Sequence, residues 1–261
     1  MTQPQGLVNF RDFGGLPSRY GGTVVGDRLF RSGHFAYASP AAVARLEAMN
    51  FTAIADLRLT SERVEQPGAW PGQTTRRVLA LEGDVADDAP HLALLKARQF
   101  DDEGIDRFYV AFYRNIPFDP SYKPLFGAVL RAVVATSGRT LIYCSVGKDR
   151  TGMLVALLQH ALGVPPELIV ADYMKSRGAD GIEAIIPEIQ QRLSNRLGQD
   201  VEPALARKML GVEEEYLRAA LDEIERRYHS VDRYLDDVGL TSELREQLRN
   251  SLIVRKTTRG S

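Results

Sequence analysis

Residues 140–162 read TLIYCSVGKDRTGMLVALLQHAL, and this stretch decides the fold. A short apolar run of strand-like composition, 140–143, ends at the chain's only cysteine, Cys144. A polar loop follows, and from Thr151 to Leu162 the residues are apolar on nearly every side, which is typical of a helix buried against a sheet. The sequence therefore predicts that Cys144 lies in a loop that connects a strand to a buried helix.

The segments before and after this stretch are predicted to complete the fold. Short extended pieces around 24–25 and 29–30 precede a helix from Ser39-Pro40 to about Met49, and strands are predicted over 51–57 and 77–81. This order of strand, helix and strand indicates a central sheet. Further helices are predicted over 105–116, 124–135, 167–177, 182–197 with a break or fresh start at Pro187, 212–228, and from 241 onward. No strand is predicted in the last third of the chain.

Composition and charge narrow the class of protein. A hydrophobic content of 44% and a charged content of 26% are ordinary for a soluble globular domain of 261 residues. The net charge of -1 gives no basis for steering nucleic acid, and no apolar run approaches the roughly 18 residues of a membrane span. Residues 1–6 lack the features of a signal peptide, and a single cysteine fits a reducing compartment, so we expect a cytosolic protein.

The loop after the cysteine has the chemistry of a phosphate site with a nucleophilic sulfur. A free cysteine, with a pKa near about 8.5, attacks phosphorus only as the thiolate. Backbone amides, the positive end of the following helix and two cations would all stabilise a thiolate or a phosphate there. Arg150 can hold two phosphoryl oxygens with its planar guanidinium, and Thr151 can hydrogen-bond the sulfur. The predicted phosphate-binding residues are Ser145, Val146, Gly147, Lys148, Asp149, Arg150 and Thr151. The alternative is a buried structural cysteine beside a charged turn.

The sequence resembles the cysteine-dependent tyrosine phosphatase superfamily, whose signature is His-Cys-x5-Arg-(Ser/Thr). Cys-x-x-Gly-Lys-Asp-Arg-Thr-Gly is similar to its PtpB-like bacterial branch, as are Asn-Phe-Arg-Asp-x-Gly-Gly at 9–15 and Asp-Leu-Arg at 56–58, followed by Glu62. The resemblance implies a three-layer α/β phosphatase fold with a mainly parallel central sheet flanked by helices and a helical C-terminal extension. It also implies hydrolysis of phosphate monoesters through a phosphocysteine, without metal or cofactor. Tyr143 departs from the signature, which has a histidine that helps to hold the loop and tune the thiol.

Two aspartates are candidates for the general acid that protonates the leaving group. The resemblance implies that this branch lacks a Trp-Pro-Asp loop, and Trp70 is indeed followed by Pro71-Gly72. Asp149 is favoured because it lies inside the cysteine loop. Asp56, at the end of a predicted strand, is the second candidate. The alternative for Asp149 is a salt bridge to a neighbouring basic residue. The alternative for Asp56 is that its carboxylate orients Arg58 or the loop.

The substrate class and the role of the helical part stay open at this level. Phosphorylated proteins and phosphoinositides both fit, because Lys148 either adds charge for a polyanionic head group or is simply solvated. Arg11, Arg31 and Arg58 either bind phosphate or pair with Asp12, Asp27 and Asp56; pairing is preferred. We expect one phosphatase domain over 1–261, with a catalytic core at 1–165 and helices at 166–261 that form either a lid or a packing layer. Rival functions are a rhodanese-like sulfurtransferase and a phosphate-recognition module without turnover.

Overall fold

The strand that leads into Cys144 is the middle strand of a five-stranded sheet. The computed structural model describes residues 6–68, 77–81 and 101–255. Its strands are β1 (Arg11–Asp12), β2 (Thr23–Val24), β3 (Leu29–Ser32), β4 (Phe51–Asp56), β5 (Arg77–Ala80), β6 (Arg139–Tyr143) and β7 (Ile253–Val254). The central sheet has the order β1-β3-β6-β4-β5, in which only β1 is antiparallel to its neighbour.

The parallel pairing brings three segments together beside Cys144. Strand β6 pairs with β3 on one side and β4 on the other, so that Tyr143 lies opposite both Ser32 and Asp56. The carboxyl ends of parallel strands open at one edge of a sheet, where the active sites of α/β folds form. The segments that follow β3 and β4 therefore flank the cysteine loop.

Eleven α-helices are described, and they lie on both faces of the sheet. They are α1 (Pro40–Ala48), α2 (Thr60–Glu65), α3 (Asp102–Asn115), α4 (Tyr122–Ala135), α5 (Asp149–Ala161), α6 (Pro166–Met174), α7 (Ile182–Leu197), α8 (Pro203–Leu210), α9 (Glu214–Tyr228), α10 (Val231–Asp237) and α11 (Ser242–Leu252). Helix α1 packs with the smaller core cluster, whereas α3, α4, α5 and the C-terminal helices build the larger one. The predicted α/β fold, with a mainly parallel sheet between helices and a helical extension, is confirmed.

Alternation along β6 separates Cys144 from the residue before it. Successive side chains of a strand point to opposite faces. Ile142 and Cys144 belong to the larger core cluster, and Leu141 and Tyr143 belong to the smaller one, with Phe35. Tyr143 is thus placed across the sheet from the sulfur, which decides what its hydroxyl can reach.

The structure differs from the predicted elements in three places. Helix α7 runs through Pro187 without a break; because Pro187 stands near the helix start, its ring displaces a single backbone hydrogen bond. Helices α2, α8 and α10, each of eight residues or fewer, were not predicted. The last residues of the chain form β7, which pairs with β2 in a separate two-stranded sheet. As predicted, the C-terminal third gives the central sheet no strand.

Candidate active site

The cysteine loop requires glycine at one position. Gly147 has a φ of +74°, and a Cβ built on it would lie 2.3 Å from the carbonyl carbon of Ser32. Only glycine tolerates both the left-handed backbone and this close approach. The Gly147 amide then donates to Cys144 Sγ at 3.3 Å. The loop thus curls around a buried sulfur and turns at least one backbone N–H toward it.

A buried carboxylate fixes the orientation of Arg150. Helix α5 begins at Asp149, two residues before the predicted start, so Arg150 stands in its first turn. Its Nη1 donates to Glu62 Oε2 at 2.6 Å and its Nη2 to Glu62 Oε1 at 2.8 Å. Further bonds join Nη1 to the Leu57 carbonyl at 3.0 Å and to the Tyr122 hydroxyl at 3.2 Å. The guanidinium plane is therefore set before any substrate arrives.

The charge of Glu62 is strongly stabilised by this pairing. Burial disfavours its ionised form, but the Arg150 guanidinium, together with hydrogen bonds from Ser145 and the Leu59 amide, lowers the pKa of Glu62 to about 2. Burial likewise opposes the charge of Arg150, and Glu62 more than offsets it, so the pKa of Arg150 is raised. The Ser145 hydroxyl donates to Glu62 Oε1 at 2.6 Å, which attaches the start of the cysteine loop to the same carboxylate.

Asp149 faces the same space as Cys144 and is held from one side. Its Oδ1 accepts the Tyr113 hydroxyl at 2.8 Å and Lys148 Nζ at 3.0 Å. The Tyr173 hydroxyl donates in turn to Tyr113 at 2.8 Å. The Asp149 side chain is 18% exposed, unlike its buried neighbours. A carboxylate fixed by one oxygen and open at its other edge is suited to proton transfer.

These groups line one pocket of about 110 Å³ with a polar floor and an apolar wall. Cys144, Ser145, Lys148, Asp149 and Arg150 lie at its cysteine-loop side. The lining from α7 and α8 is mostly apolar, with Glu188 and Arg192 beside Ile185, Ile189, Leu193, Met209 and Leu210. The space therefore accepts an anionic group at the sulfur and an apolar group beside it.

The sequence model of the tyrosine phosphatase family matches residues 2–254. The chain belongs to the tyrosine phosphatase family. It is 34% identical over 234 residues to a protein named a tyrosine-protein phosphatase in Cupriavidus necator, across 88% of this chain and 81% of that protein. It is 30% identical over 273 residues to the triple specificity protein phosphatase PtpB of Mycobacterium tuberculosis, across 95% and 97% of the two chains. The crystal structure of TpbA from P. aeruginosa covers 77% of this chain and is itself covered to 91%, at 18% identity and a TM-score of 0.35.

Family membership confirms the resemblance read from the three motifs and the prediction of a phosphoric monoester hydrolase. The sulfurtransferase and the recognition module without turnover are not favoured. Within the described residues, no group of three His, Cys, Asp or Glu side chains is arranged to hold a metal ion. The helices that the structure describes include none long and apolar enough to span a membrane. The Trp70-Pro71-Gly72 segment lies outside the described residues.

Lys148 of this tyrosine phosphatase is buried, so the interpretation of a solvated lysine is wrong. Its side chain is 2% exposed, and Nζ donates to Asp149 Oδ1 and to the Gly211 carbonyl, each at 3.0 Å. Nζ also lies 4.3 Å from the centre of the Tyr109 ring. The ammonium group is thus directed at protein groups, one of which, Gly211, belongs to the helical C-terminal part.

Asp56 is buried in a network on the far side of the sheet. Its Oδ2 accepts the Tyr143 hydroxyl at 2.7 Å and Arg58 Nη2 at 2.8 Å, and its Oδ1 accepts Arg58 Nε at 2.9 Å. Both oxygens are therefore occupied, and the expected pairing of Arg58 with Asp56 is confirmed. Tyr143 contacts this carboxylate and not the sulfur. Arg58 extends this network, because its Nη1 donates to the Gln66 carbonyl at 2.7 Å.

The other two arginines pair with a different acid from the one expected. Arg11 and Arg31 both face Asp172 on α6, at 3.9 Å and 3.6 Å. Asp12 instead accepts the amides of Gly14 and Asp27, and Asp27 pairs with Arg139. The expected partners were wrong because α6 packs behind the cysteine loop and offers a buried carboxylate that sequence neighbours cannot match.

Sequence reasoning assigned no role to Glu62, Tyr113 or Tyr122. Glu62 stood in a recognised motif, and a carboxylate four residues after Arg58 was the signal that could have been followed. Tyr113 and Tyr122 lie on apolar helix faces, where nothing in the sequence separates a packed tyrosine from one that holds a catalytic group. Thr151 is fully buried, and its Oγ1 has no hydrogen-bond partner among the described residues.

Proposed function

We propose that the protein hydrolyses phosphate monoesters on proteins, phosphotyrosine foremost, through a phosphocysteine at Cys144. The observation that carries the proposal is the joint placement of three groups in one pocket: a sulfur contacted by a loop amide, a pre-oriented guanidinium, and a partly exposed carboxylate. Loop amides and the start of α5 bind the phosphoryl group at Ser145, Val146, Gly147, Lys148, Asp149, Arg150 and Thr151.

In the first step the Cys144 thiolate attacks phosphorus and the bond to the leaving oxygen breaks. Asp149 gives its proton to that oxygen. Arg150 binds the phosphoryl oxygens as they gain negative charge. Since the bonds to Glu62, Leu57 and Tyr122 fall on Nη1 and Nη2, the Nε edge of the guanidinium is the one that meets the phosphate.

In the second step a water molecule attacks the phosphocysteine. Asp149, now ionised, takes the proton of that water, the sulfur–phosphorus bond breaks, and orthophosphate and thiolate are released. Thr151 Oγ1 hydrogen-bonds the departing sulfur. Asp56 acts indirectly in this scheme: with both oxygens bound to Tyr143 and Arg58, it is a positioning residue for the segment that carries Glu62.

Two features support phosphotyrosine over other phosphate esters. The apolar wall from α7 and α8 suits an aromatic ring next to the phosphate. Lys148 is engaged by Asp149 and Gly211, which leaves it poorly arranged to read a second phosphate of an inositol head group. Because one relative is named a triple specificity phosphatase, phosphoserine, phosphothreonine and phosphoinositide substrates belong in the same test. We place this activity in the cytosol.

The proposed domain arrangement is a catalytic core at 1–165 and a helical part at 166–261 that covers the pocket as a lid. Helix α7 supports this assignment, since it lines the pocket and two surface contacts join it to the segment around α2. Arg192 Nη2 lies 2.6 Å from Glu65, and Gln66 Nε2 lies 2.8 Å from Glu188.

The test is turnover of p-nitrophenyl phosphate and of matched phosphopeptides and phosphoinositides by wild type and Cys144→Ser. We expect release of orthophosphate by wild type, a covalent phosphoenzyme on rapid quenching, and a loss of roughly a thousandfold or more in the variant. A wild-type protein that binds phosphotyrosine peptide without hydrolysing it would overturn the proposal and leave a recognition module.

A further inference from the structure

Three consecutive carbonyls of the cysteine loop are held by groups that lie behind the pocket. The Ser145 carbonyl accepts the His34 amide at 3.2 Å. The Val146 carbonyl lies 3.5 Å from Asn9 Nδ2, and the Gly147 carbonyl accepts Asn9 Nδ2 at 2.9 Å and Arg31 Nη2 at 2.7 Å. The segments around residues 9 and 31–34 thus hold the carbonyl side of the loop by hydrogen bonds.

Holding these carbonyls determines where the loop amides point. The described peptide bonds include no cis bond, and in a trans peptide the N–H is directed opposite to the C=O of the same plane. A carbonyl of residue 145, 146 or 147 that is fixed at the back therefore turns the N–H of the next residue to the front. The Gly147 amide, 3.3 Å from Cys144 Sγ, shows this geometry directly.

Arg31 also brings a buried positive charge behind the sulfur. Its side chain is 0% exposed, and Asp172, 3.6 Å away, is shared with Arg11 and with Lys175, whose Nζ lies 3.3 Å from it. Two guanidinium groups around one buried carboxylate leave a net positive charge. Burial acts to lower the pKa of Arg31, while Asp172 and then Cys144 oppose the change, and a guanidinium keeps its proton at neutral pH in any case.

Tyr143 and His34 do not supply this charge. Tyr143 stands where the family signature has a histidine, and its hydroxyl is bound to Asp56. His34 lies near the pocket, but burial, helped by Arg58, lowers its pKa to about 4, so it is neutral at physiological pH. Other titratable groups face the cysteine loop from the elements packed around it. They include Glu62 from α2, Tyr109 and Tyr113 from α3, Tyr173 from α6, Glu188 and Arg192 from α7, and Lys148, Asp149 and Arg150 of the loop and α5.

We infer that Asn9 and Arg31 are positioning residues of this site: together they aim the loop amides at the phosphate, and Arg31 places a cation behind the sulfur, where the signature has a histidine that tunes the thiol. The inference rests on the proposed function of Cys144 and the loop. Ser176 joins the two residues, because its Oγ lies 3.3 Å from Asn9 Nδ2 and 3.4 Å from Arg31 Nη2. We call Asn9, Arg31, Asp172 and Ser176 the clamp.

The test measures alkylation of Cys144 by iodoacetamide as a function of pH, and protection against it by inorganic phosphate. Cys144 is the only thiol in the sequence, so one mass shift reports the reaction. The variants are Arg31→Met, Arg31→Lys and Asn9→Gly; glycine is chosen because Asn9 has a φ of 54°. Arg28→Met is the matched control, since Arg28 binds the carbonyls of Thr136 and Gly138 at the other end of the sheet.

Arg31→Met is expected to move the midpoint of alkylation upward by about one pH unit, because the thiolate loses a nearby cation. It should also raise the half-protecting phosphate concentration about tenfold. Arg31→Lys keeps the positive charge, so its alkylation midpoint should lie close to that of wild type. Asn9→Gly removes donors but no charge, so it should weaken phosphate protection about fivefold and leave the midpoint near that of wild type.

Equal behaviour of Arg31→Met and Arg28→Met in both measurements would overturn the inference. If Arg31→Met does not fold, the other two variants decide. Unchanged phosphate protection in Asn9→Gly refutes the aiming of the amides. An alkylation midpoint displaced by a full pH unit in Arg31→Lys refutes the role of charge. Neither readout needs turnover. A wild type without hydrolysis but with the expected alkylation shifts would refute the proposed function alone.

Discussion

Glu62 holds the Arg150 guanidinium in a fixed plane, and the protein depends on it in two ways. The two-point contact fixes Nη1 and Nη2 of Arg150, so in the proposed reaction the guanidinium needs little reorganisation to bind a phosphate. The same contact keeps a buried carboxylate and a buried guanidinium from standing alone, an arrangement that would be strongly destabilising. A single side chain thus links the site's geometry to the stability of the fold.

The depressed pKa of Glu62 predicts a specific loss of stability in acid. Its pKa in the folded protein is about 2, below the ordinary 4.5, so its contribution is fully present above pH 4.5 and is lost as the pH falls toward 2. The contribution amounts to roughly 3 kcal/mol. Urea unfolding of wild type between pH 6 and pH 3 should show a steeper decline than unfolding of Glu62→Gln, which is less stable at pH 6 but less sensitive to acid. Parallel declines in the two proteins would contradict this reading.

Asp149→Asn tests the proton donor by its dependence on the leaving group. An aryl phosphate with a good leaving group needs little protonation, whereas an alkyl phosphate needs it fully. We expect kcat to fall by about a hundredfold or more on the alkyl ester, and by a much smaller factor on p-nitrophenyl phosphate. Asp222→Asn, on the exposed face of α9, is the control. Equal losses on both esters would assign Asp149 a merely structural role.

At the scale of elements, the unit of β6, loop and α5 was predictable because its signals are local. The apolar strand, the glycine with positive φ and the buried helix all lie within 25 residues of one another, so Cys144, Asp149 and Arg150 had to share a loop. The partners of Arg150 and Asp149 come from elsewhere: Glu62 from α2, Tyr122 from α4 and Tyr113 from α3. No sequence spacing encodes which distant side chain will face a given loop, and the pairings of Arg11 and Arg31 were misjudged for that reason.

The proposed lid role of α7 depends on its contacts to the segment around α2. The ion pair of Arg192 with Glu65 is partly exposed, and such pairs contribute at most about 1 kcal/mol. Arg192→Ala should therefore increase the rate of Cys144 labelling by a bulky maleimide up to about fivefold, while labelling by small iodoacetamide changes less. Arg226→Ala, which removes an exposed ion pair with Glu223 on α9, serves as the control. Unchanged maleimide labelling in Arg192→Ala would show that α7 is no lid.

At the scale of the whole molecule, the C-terminal helices are part of the active site. They place Gly211 against Lys148, Asp172 against Arg31 and an apolar wall over the sulfur. Periodicity predicted α6, α7, α9 and α11 but not α8 and α10, and it did not predict what these helices cover. The burial of Lys148 illustrates the gap: solvent exposure was one of its two interpretations, but Tyr109 of α3 and Gly211 of the helical part both contact its ammonium group.

The last elements, α11 and β7, pack against earlier parts of the chain. The Val25 amide donates to the Leu252 carbonyl at 2.8 Å, and Arg249 Nε donates to the Ala161 carbonyl at 2.8 Å. Leu248 is fully buried in this contact, whereas Leu244 is only partly buried. Leu248→Ala is expected to lower the free energy of unfolding by about 3 kcal/mol, and Leu244→Ala by about 1 kcal/mol, in urea titrations. Equal effects would mean that α11 is not docked as described.

The clamp behind the cysteine loop has a consequence for how the protein acquires its activity. Asn9 precedes β1 and Arg31 lies in β3, but Asp172 and Ser176, which hold them, follow the cysteine loop in the chain. Long-range contacts of this kind form late in folding. During refolding, helical circular dichroism should therefore recover first, and hydrolysis only after α6 has docked. A newly made chain would emerge with its nucleophile in place but would begin to turn over substrate only when its last third is folded.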